Sequence, residues 1–340
     1  MNGRAMDSAA LQFDEVVVQY RRRGLSPVRA VAGVSLEVRH GQMHALVGES
    51  GCGKSTLARA ATGLIPISSG TVRFEGREVA PLTRRARPAH LRRLQMIFQD
   101  PSASLNPRRS VGSQLDDALR LCTSGAGSWR RERVRELLDA VGLPDSASAR
   151  YPREFSGGQR QRICIARALA AEPTVIVADE PISALDASAQ AAIANLLVEL
   201  ARRLNLGLLF ISHDLAIVHH IADVVTVMYL GRVVERGPTR AMWAAPLHPY
   251  TEALIAAQPA HDGAGTLPAA LPGEVPNPAA PPSGCRFHPR CPYVLDRCPI
   301  DDPPMVSFEN GRAAACWLQE PNGSIESPAR KALKHAGESA

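Results

Sequence analysis

The sequence predicts an α/β protein whose mostly parallel sheet is covered by helices on both faces. Three observations carry this. Short apolar runs, such as 175–178 and 208–211, alternate with Ala/Leu/Arg-rich helical stretches across residues 1–246. Strands without polar alternation are buried on both sides, as in parallel sheets. A G-x-x-x-x-G-K-[ST] run begins at Gly48, between a predicted strand and a predicted helix. Two adjacent acids, Asp179 and Glu180, end an apolar strand, where ligands bind in open α/β sheets.

Each element has its own reason. Residues 11–20 read as a strand, rich in β-branched and apolar types. Met43–Val47 is a short apolar strand entering a glycine-rich turn. Residues 54–63 form a helix that Gly63 ends. Gly157 and Gly158 make a turn, and Gln159 opens an amphipathic helix running to about Ala171. Residues 187–204 form a long helix, and the buried strand at 208–212 leads into His213.

The chain has 340 residues, a prior of about two domains. With 45% hydrophobic and 21% charged residues, it is not collagen-like, coiled-coil or wholly disordered. Aromatics at 4% argue against a base-stacking surface. The net charge of +6 suits phosphate handling or an anionic membrane face, but is too weak to argue for nucleic acid. Arg runs at 21–23, 84–93 and 130–131 read as solvated faces. The first fifteen residues lack the apolar core of a secretory signal. No run approaches the roughly 18 apolar residues of a membrane span, so a membrane role requires a partner. Residues 259–304 hold twelve of the 27 prolines, and residues 321–340 read as a disordered tail.

The run Gly48-Glu49-Ser50-Gly51-Cys52-Gly53-Lys54-Ser55-Thr56 reads as a phosphate cradle. Its glycines let backbone N–H groups turn inward, and a helix N-terminus adds positive potential. Lys54 can reach the β- and γ-phosphates of a nucleotide, and the Ser55 hydroxyl can ligate Mg²⁺. Asp179 suits the Mg²⁺ shell, and Glu180 suits a base that polarises water. Ser156-Gly157-Gly158-Gln159 opens a helix and is a candidate second anion site. One phosphate loop with two such helix ends suggests a head-to-tail dimer, each ATP held between one chain's Lys54 loop and the other's Ser156 turn.

These motifs together resemble the ATPase subunits of ABC transporters. Ser156 to Gln159 matches the family signature, with Phe155 in place of the commoner Leu. Gln99 matches the Q-loop glutamine, Ser183 to Asp186 the D-loop, and His213 the switch histidine. Tyr20 lies where the family stacks an aromatic on adenine. The resemblance covers about residues 10–258 and implies a P-loop NTPase of ABC type, with an N-terminal antiparallel β subdomain. It also implies a small helical subdomain near 100–170, within an ATPase domain at 10–246. Within it, Gln99 is expected to assist at Mg²⁺ as well as at the attacking water. Residues 98–108 and His248-Pro249-Tyr250 are similar to the peptide/nickel importer branch, and within it to the second of the two paired ATPases. That implies two membrane permease subunits, a second ABC ATPase (or another copy of this chain) and an external solute-binding protein, with no nucleic acid. The chain would sit peripherally at the cytoplasmic face of the cell (inner) membrane. His248 to Tyr250 is itself expected only to start a helix, without ligand contact.

Cys285, Cys291, Cys298 and Cys316 lie in an extension at 247–320 that can bury little core. A metal centre would hold it together. The spacing C-x5-C-x6-C-x17-C is not that of a zinc ribbon. Members of the importer branch carry such a motif, and some ligate a [4Fe–4S] cluster with it; the alternatives are Zn²⁺ and free thiols. Stapling is the simpler role, and a redox sensor driving the ATPase is a separate reading. Cys52, Cys122 and Cys164 are expected to be inert. The competing function is a soluble ABC ATPase acting on nucleic acid or ribosomes. Gln99 and Ser156 are only 57 positions apart, room for a small helical subdomain and not for the long coiled coil of such proteins.

Overall fold

The computed structural model describes residues 9–22, 25–84, 86–122, 125–258, 273–319 and 328. The tail expected to be disordered, at 321–340, lies outside these residues except for 328. Strands β1 (Ala9–Arg22) and β2 (Leu25–Arg39) form a long antiparallel pair. Strand β3 (Met43–Val47) enters the glycine-rich loop, and α1 (Lys54–Ala61) leaves it. β4 (Ser69–Phe74) returns to β1, and β5 (Arg77–Glu78) pairs with β4. The result is an antiparallel sheet of order β2-β1-β4-β5.

After β6 (Leu94–Ile97) the chain turns helical: α2 (Pro101–Ser104), α3 (Val111–Cys122), α4 (Gly127–Ala140) and α5 (Gly157–Leu169). Strands and helices then alternate through β7 (Val175–Asp179), α6 (Ala187–Arg203), β8 (Gly207–Ile211), α7 (Leu215–Ile221) and β9 (Val224–Tyr229). β10 (Arg232–Pro238), α8 (Thr239–Ala244), α9 (Pro249–Ala256), β11 (Val306–Ser307) and β12 (Ala313–Ala314) follow. The second sheet has order β11-β12-β10-β9-β3-β8-β7-β6. From β9 to β6 its neighbours are parallel, while β10, β12 and β11 add antiparallel.

Alternation between two buried faces explains the near-continuous apolar runs of β7 and β8. Ile176, Ala178, Leu208 and Phe210 point into one core, with the apolar faces of α5 and α6. Val175, Val177, Leu209 and Ile211 point into another, with α1 and the antiparallel sheet. Both faces are covered, so every position of β7 and β8 is buried, and the one polar residue on them, Asp179 at the end of β7, is met by the Ser55 hydroxyl.

The extension is fastened to the edge of this sheet. β12 pairs with β10, with Glu235 opposite Ala314. The fully buried Glu235 carboxylate accepts hydrogen bonds from the backbone N–H of Leu247 (3.0 Å) and His248 (2.9 Å), and pairs with Arg312 (3.1 Å). Burial pushes its carboxyl above the usual range, and these donors oppose that rise. A buried charge persists where its lone pairs are filled in this way.

Candidate functional site

Four adjacent parallel strands, β3, β8, β7 and β6, aim their carboxyl ends at one place. The loop after β3 folds back on itself. The Lys54 amine is buried and donates to the carbonyls of Gly48 (2.7 Å) and Glu49 (2.9 Å), and lies 3.7 Å from Cys52 Sγ. Ser50 and Gly51 form its exposed tip, and Gly53 caps α1 in the left-handed region, with φ of 109°. Thr56, in the first turn of α1, meets the Tyr20 hydroxyl at 3.3 Å. The Tyr20 ring is otherwise largely exposed on β1.

The Ser55 hydroxyl donates to Asp179 Oδ1 at 2.7 Å, joining α1 to the end of β7. Burial pushes the Asp179 carboxyl above its ordinary range, and the Ser55 hydrogen bond partly counters this. A buried carboxylate beside a hydroxyl is a hard oxygen donor set that fits Mg²⁺.

Next to it, Glu180 adopts φ of 47°, in the left-handed region that few non-glycine residues occupy. Its N–H is held by the Ile211 carbonyl at 3.1 Å. Gln99, just beyond β6, donates Nε2 to Glu180 Oε2 at 3.0 Å and lies 3.3 Å from Ser183 Oγ. His213, just beyond β8, brings Nδ1 within 3.5 Å of the same carboxylate oxygen. Two residues from two strand ends, Gln99 and His213, thus converge on the carboxylate at the end of a third.

The Ser156 turn stands apart from this cluster. Ser156 and Gln159 cap α5 reciprocally, each side chain accepting from the other's N–H, at 3.3 and 3.1 Å. Ser156, Gly157 and Gln159 are exposed. A side chain on Gly158 would meet Ala189 at 3.2 Å, and one on Gly157 would meet Leu185 at 3.2 Å, so α5 and the start of α6 approach closely. Among the described residues no hydrogen bond joins this turn to the Lys54 loop. Phe155 is buried beneath the Arg150 guanidinium, 4.3 Å from the ring centroid.

A family model described as ABC transporter matches residues 31–183, and one described as oligopeptide/dipeptide transporter, C-terminal region, matches residues 234–298. The probable peptide ABC transporter ATP-binding protein y4tS of Sinorhizobium fredii is 52% identical over 323 residues, covering 93% of this chain and 92% of that protein. This chain belongs to the ABC transporter ATP-binding proteins. The di/tripeptide transport ATP-binding protein DppF of Pseudomonas aeruginosa is 48% identical, covering 88% of this chain and 92% of that one. Among solved structures, cbiO1 of Clostridium perfringens, part of the ABC transporter complex cbiONQ, superposes with a TM-score of 0.61 at 27% identity, covering 70% of this chain and 92% of that one. The dimeric cassette MJ0796 bound to ADP and Pi gives 0.60 at 26% identity, covering 68% and 99%. As a member of the family, the chain is an ATPase with an α/β P-loop fold.

Cys285, Cys291, Cys298 and Cys316 do converge, since ionising any of the first three would raise the Cys316 thiol further. Among the described residues no group of three or more His, Cys, Asp or Glu is disposed to hold a metal ion. Burial pushes the Cys285 thiol up to about 11 and the Cys291 thiol up to about 12, and Cys298 Sγ accepts from the Leu295 N–H at 3.4 Å. Burial also raises Cys52, Cys122 and Cys164, leaving them little thiolate character.

Two contacts escape the sequence. Pro249 does start α9 and His248 caps it, but the Tyr250 hydroxyl accepts from the Glu49 N–H at 2.8 Å, inside the phosphate loop. Arg290 pairs with the Glu49 carboxylate. It lies 241 positions away, beyond any local sequence signal.

Proposed function

We propose that this chain binds ATP and Mg²⁺ between its own 48–56 loop and the Ser156 turn of a second ABC ATPase, or of another copy of itself, and hydrolyses it to drive import of peptides or a related small solute through two membrane permease subunits. The convergence of Gln99, Glu180 and His213 beside the Ser55–Asp179 pair carries this reading. Lys54 and the loop N–H groups hold phosphate oxygens, and Tyr20 offers its face to the adenine. Glu180 takes the proton of the attacking water, with Gln99 and His213 orienting both. Ser55 and Asp179 would hold Mg²⁺, with Gln99 assisting; when bound, the ion neutralises phosphate charge. Ser156, Gly157 and Gln159 are exposed and Gly158 is partly so, which leaves this turn open to a partner's nucleotide.

The domain division proposed is an ATPase unit at 10–246, with helices at 100–170, and an extension at 247–320 built onto the same sheet. A mixed cleft of about 180 Å³, lined by Leu64, Met96 and the half-exposed Phe98 together with Arg87 and Arg167, lies along the strand end that leads to Gln99 and supports a permease contact there. Among the described residues no helix is long and apolar enough to cross a membrane, so the proposed place at the cytoplasmic face of the inner membrane depends on the permeases. An external solute-binding protein completes the proposed assembly. For the four cysteines, a [4Fe–4S] or Zn²⁺ centre remains a proposal supported by their convergence and by the proline-rich chain around them. Metal analysis of anaerobically purified protein tests it.

The test of function is purification of the tagged chain from native membranes in mild detergent, with mass spectrometry. Two multi-spanning proteins and a second ABC ATPase are expected, and the complex should take up labelled peptide into vesicles only with ATP. Recovery with ribosomes or nucleic acid instead would overturn the transport reading.

A further inference from the structure

The cysteine-bearing extension reaches into the phosphate loop. Arg290, next to Cys291, forms a two-pronged pair with Glu49: Nη1 to Oε2 at 2.7 Å and Nη2 to Oε1 at 3.0 Å. The side chains are only 3% and 17% exposed, so water screens the pair little. Nη1 also lies 3.3 Å from the Tyr229 hydroxyl, at the end of β9. The Tyr229, Tyr250 and Phe287 rings pack against one another at centroid distances of 4.7 to 5.3 Å and wall the guanidinium.

Glu49 is thereby held at all three of its polar points. Its carbonyl takes Lys54, its N–H takes the Tyr250 hydroxyl, and its carboxylate takes Arg290. Two of these three partners come from beyond residue 246. The loop has reason to need them, because a run of glycines has many conformations and only one presents its N–H groups inward. An unpaired carboxylate in a phosphate cradle would also repel the triphosphate, and the Arg290 charge cancels it.

We propose that Arg290 is a positioning residue for nucleotide binding, which fixes and neutralises Glu49 so that the extension forms part of the ATP site. This rests on reading residues 48–56 as the phosphate loop. Arg290 touches no reacting atom, so its effect falls on affinity and not on the chemical step.

The test is ATPase kinetics and fluorescent-ATP binding with the full-length chain. Arg290→Met is expected to raise KM and Kd for ATP about ten-fold, the loss of one good charge-assisted pair, with kcat within two-fold. Arg290→Lys, which keeps the charge but not the fork, falls between. In the Glu49→Gln background, where no charge is left unpaired and folding is safer, Arg290→Met should change affinity by less than about three-fold. Arg232→Met removes an exposed bridge between β10 and Asp302 of the extension, and should leave KM unchanged. Wild-type affinity in folded Arg290→Met, an equal loss in the Glu49→Gln background, or an equal KM rise in Arg232→Met would each overturn the proposal. If Lys54→Ala also leaves ATP binding intact, the loop reading itself has failed.

Discussion

Glycine positions in the phosphate loop separate steric from conformational demands. A β-carbon on Gly53 would lie 2.1 Å from the Ala30 carbonyl oxygen, a contact the backbone itself must relieve. One on Gly51 would meet nothing within 4 Å, and only its φ of 80° penalises a side chain. Gly53→Ala should therefore cost about 3 kcal/mol or more, and Gly51→Ala about 1–2 kcal/mol. Urea unfolding of the two variants checks the order; equal costs would contradict it. The glycines, Lys54, Ser55, Asp179 and Glu180 were legible in the sequence because their spacing places them at strand ends. Tyr250 and Arg290 were not, because their partner, Glu49, is about 200 or more positions distant and an Arg near a Cys has no chemical signature of its own.

Among the elements, α5 combines two demands at one end. Ser156 caps the helix and, in the proposed dimer, faces the partner's nucleotide. Ser156→Ala should cost about 1 kcal/mol through the lost cap. Ser156→Asn keeps a good cap and should leave stability within about 0.5 kcal/mol of wild type, yet reduce ATPase activity at least ten-fold by crowding the turn. Thermal melts and steady-state hydrolysis on both variants separate the roles. Wild-type activity in Ser156→Asn would remove the turn from the site. Elements of this kind were readable where periodicity was strong: the strands β3, β7 and β8 and the helices α5 and α6 lie within two residues of their expected bounds. The two-residue strands β11 and β12 were not, being fixed by pairing with β10 and not by their own sequence.

For the whole molecule, two buried histidines set a pH limit. His44 Nδ1–H donates to the Glu37 carbonyl (2.7 Å), so its Nε2 accepts from the Thr226 hydroxyl (2.8 Å), and burial lowers its pKa to about 4. His248 is buried with Nδ1 accepting from the Tyr250 N–H, and burial lowers its pKa to about 3. Both are neutral in the fold and protonate below about pH 6.5 when unfolded. The unfolded chain then binds more protons, so stability is full above pH 6.5 and is lost as pH falls towards 4, by on the order of 3 kcal/mol for each histidine. Urea titrations from pH 7.5 to 4.5 should show this decline, and His44→Gln should flatten it. A decline unaffected by that substitution would assign the effect to other groups.

The claim on which the rest depends is that Glu180 performs the hydrolytic step in a site completed by a second ATPase. The measurement is hydrolysis and ATP-dependent dimerisation of Glu180→Gln, which keeps the side chain's size but removes the base. Hydrolysis should fall by a hundred-fold or more, within the usual range for a general base, while ATP is still bound and a stable ATP-loaded dimer accumulates on size-exclusion chromatography. Hydrolysis near the wild-type rate, or ATP bound by the monomer with no association, would contradict it.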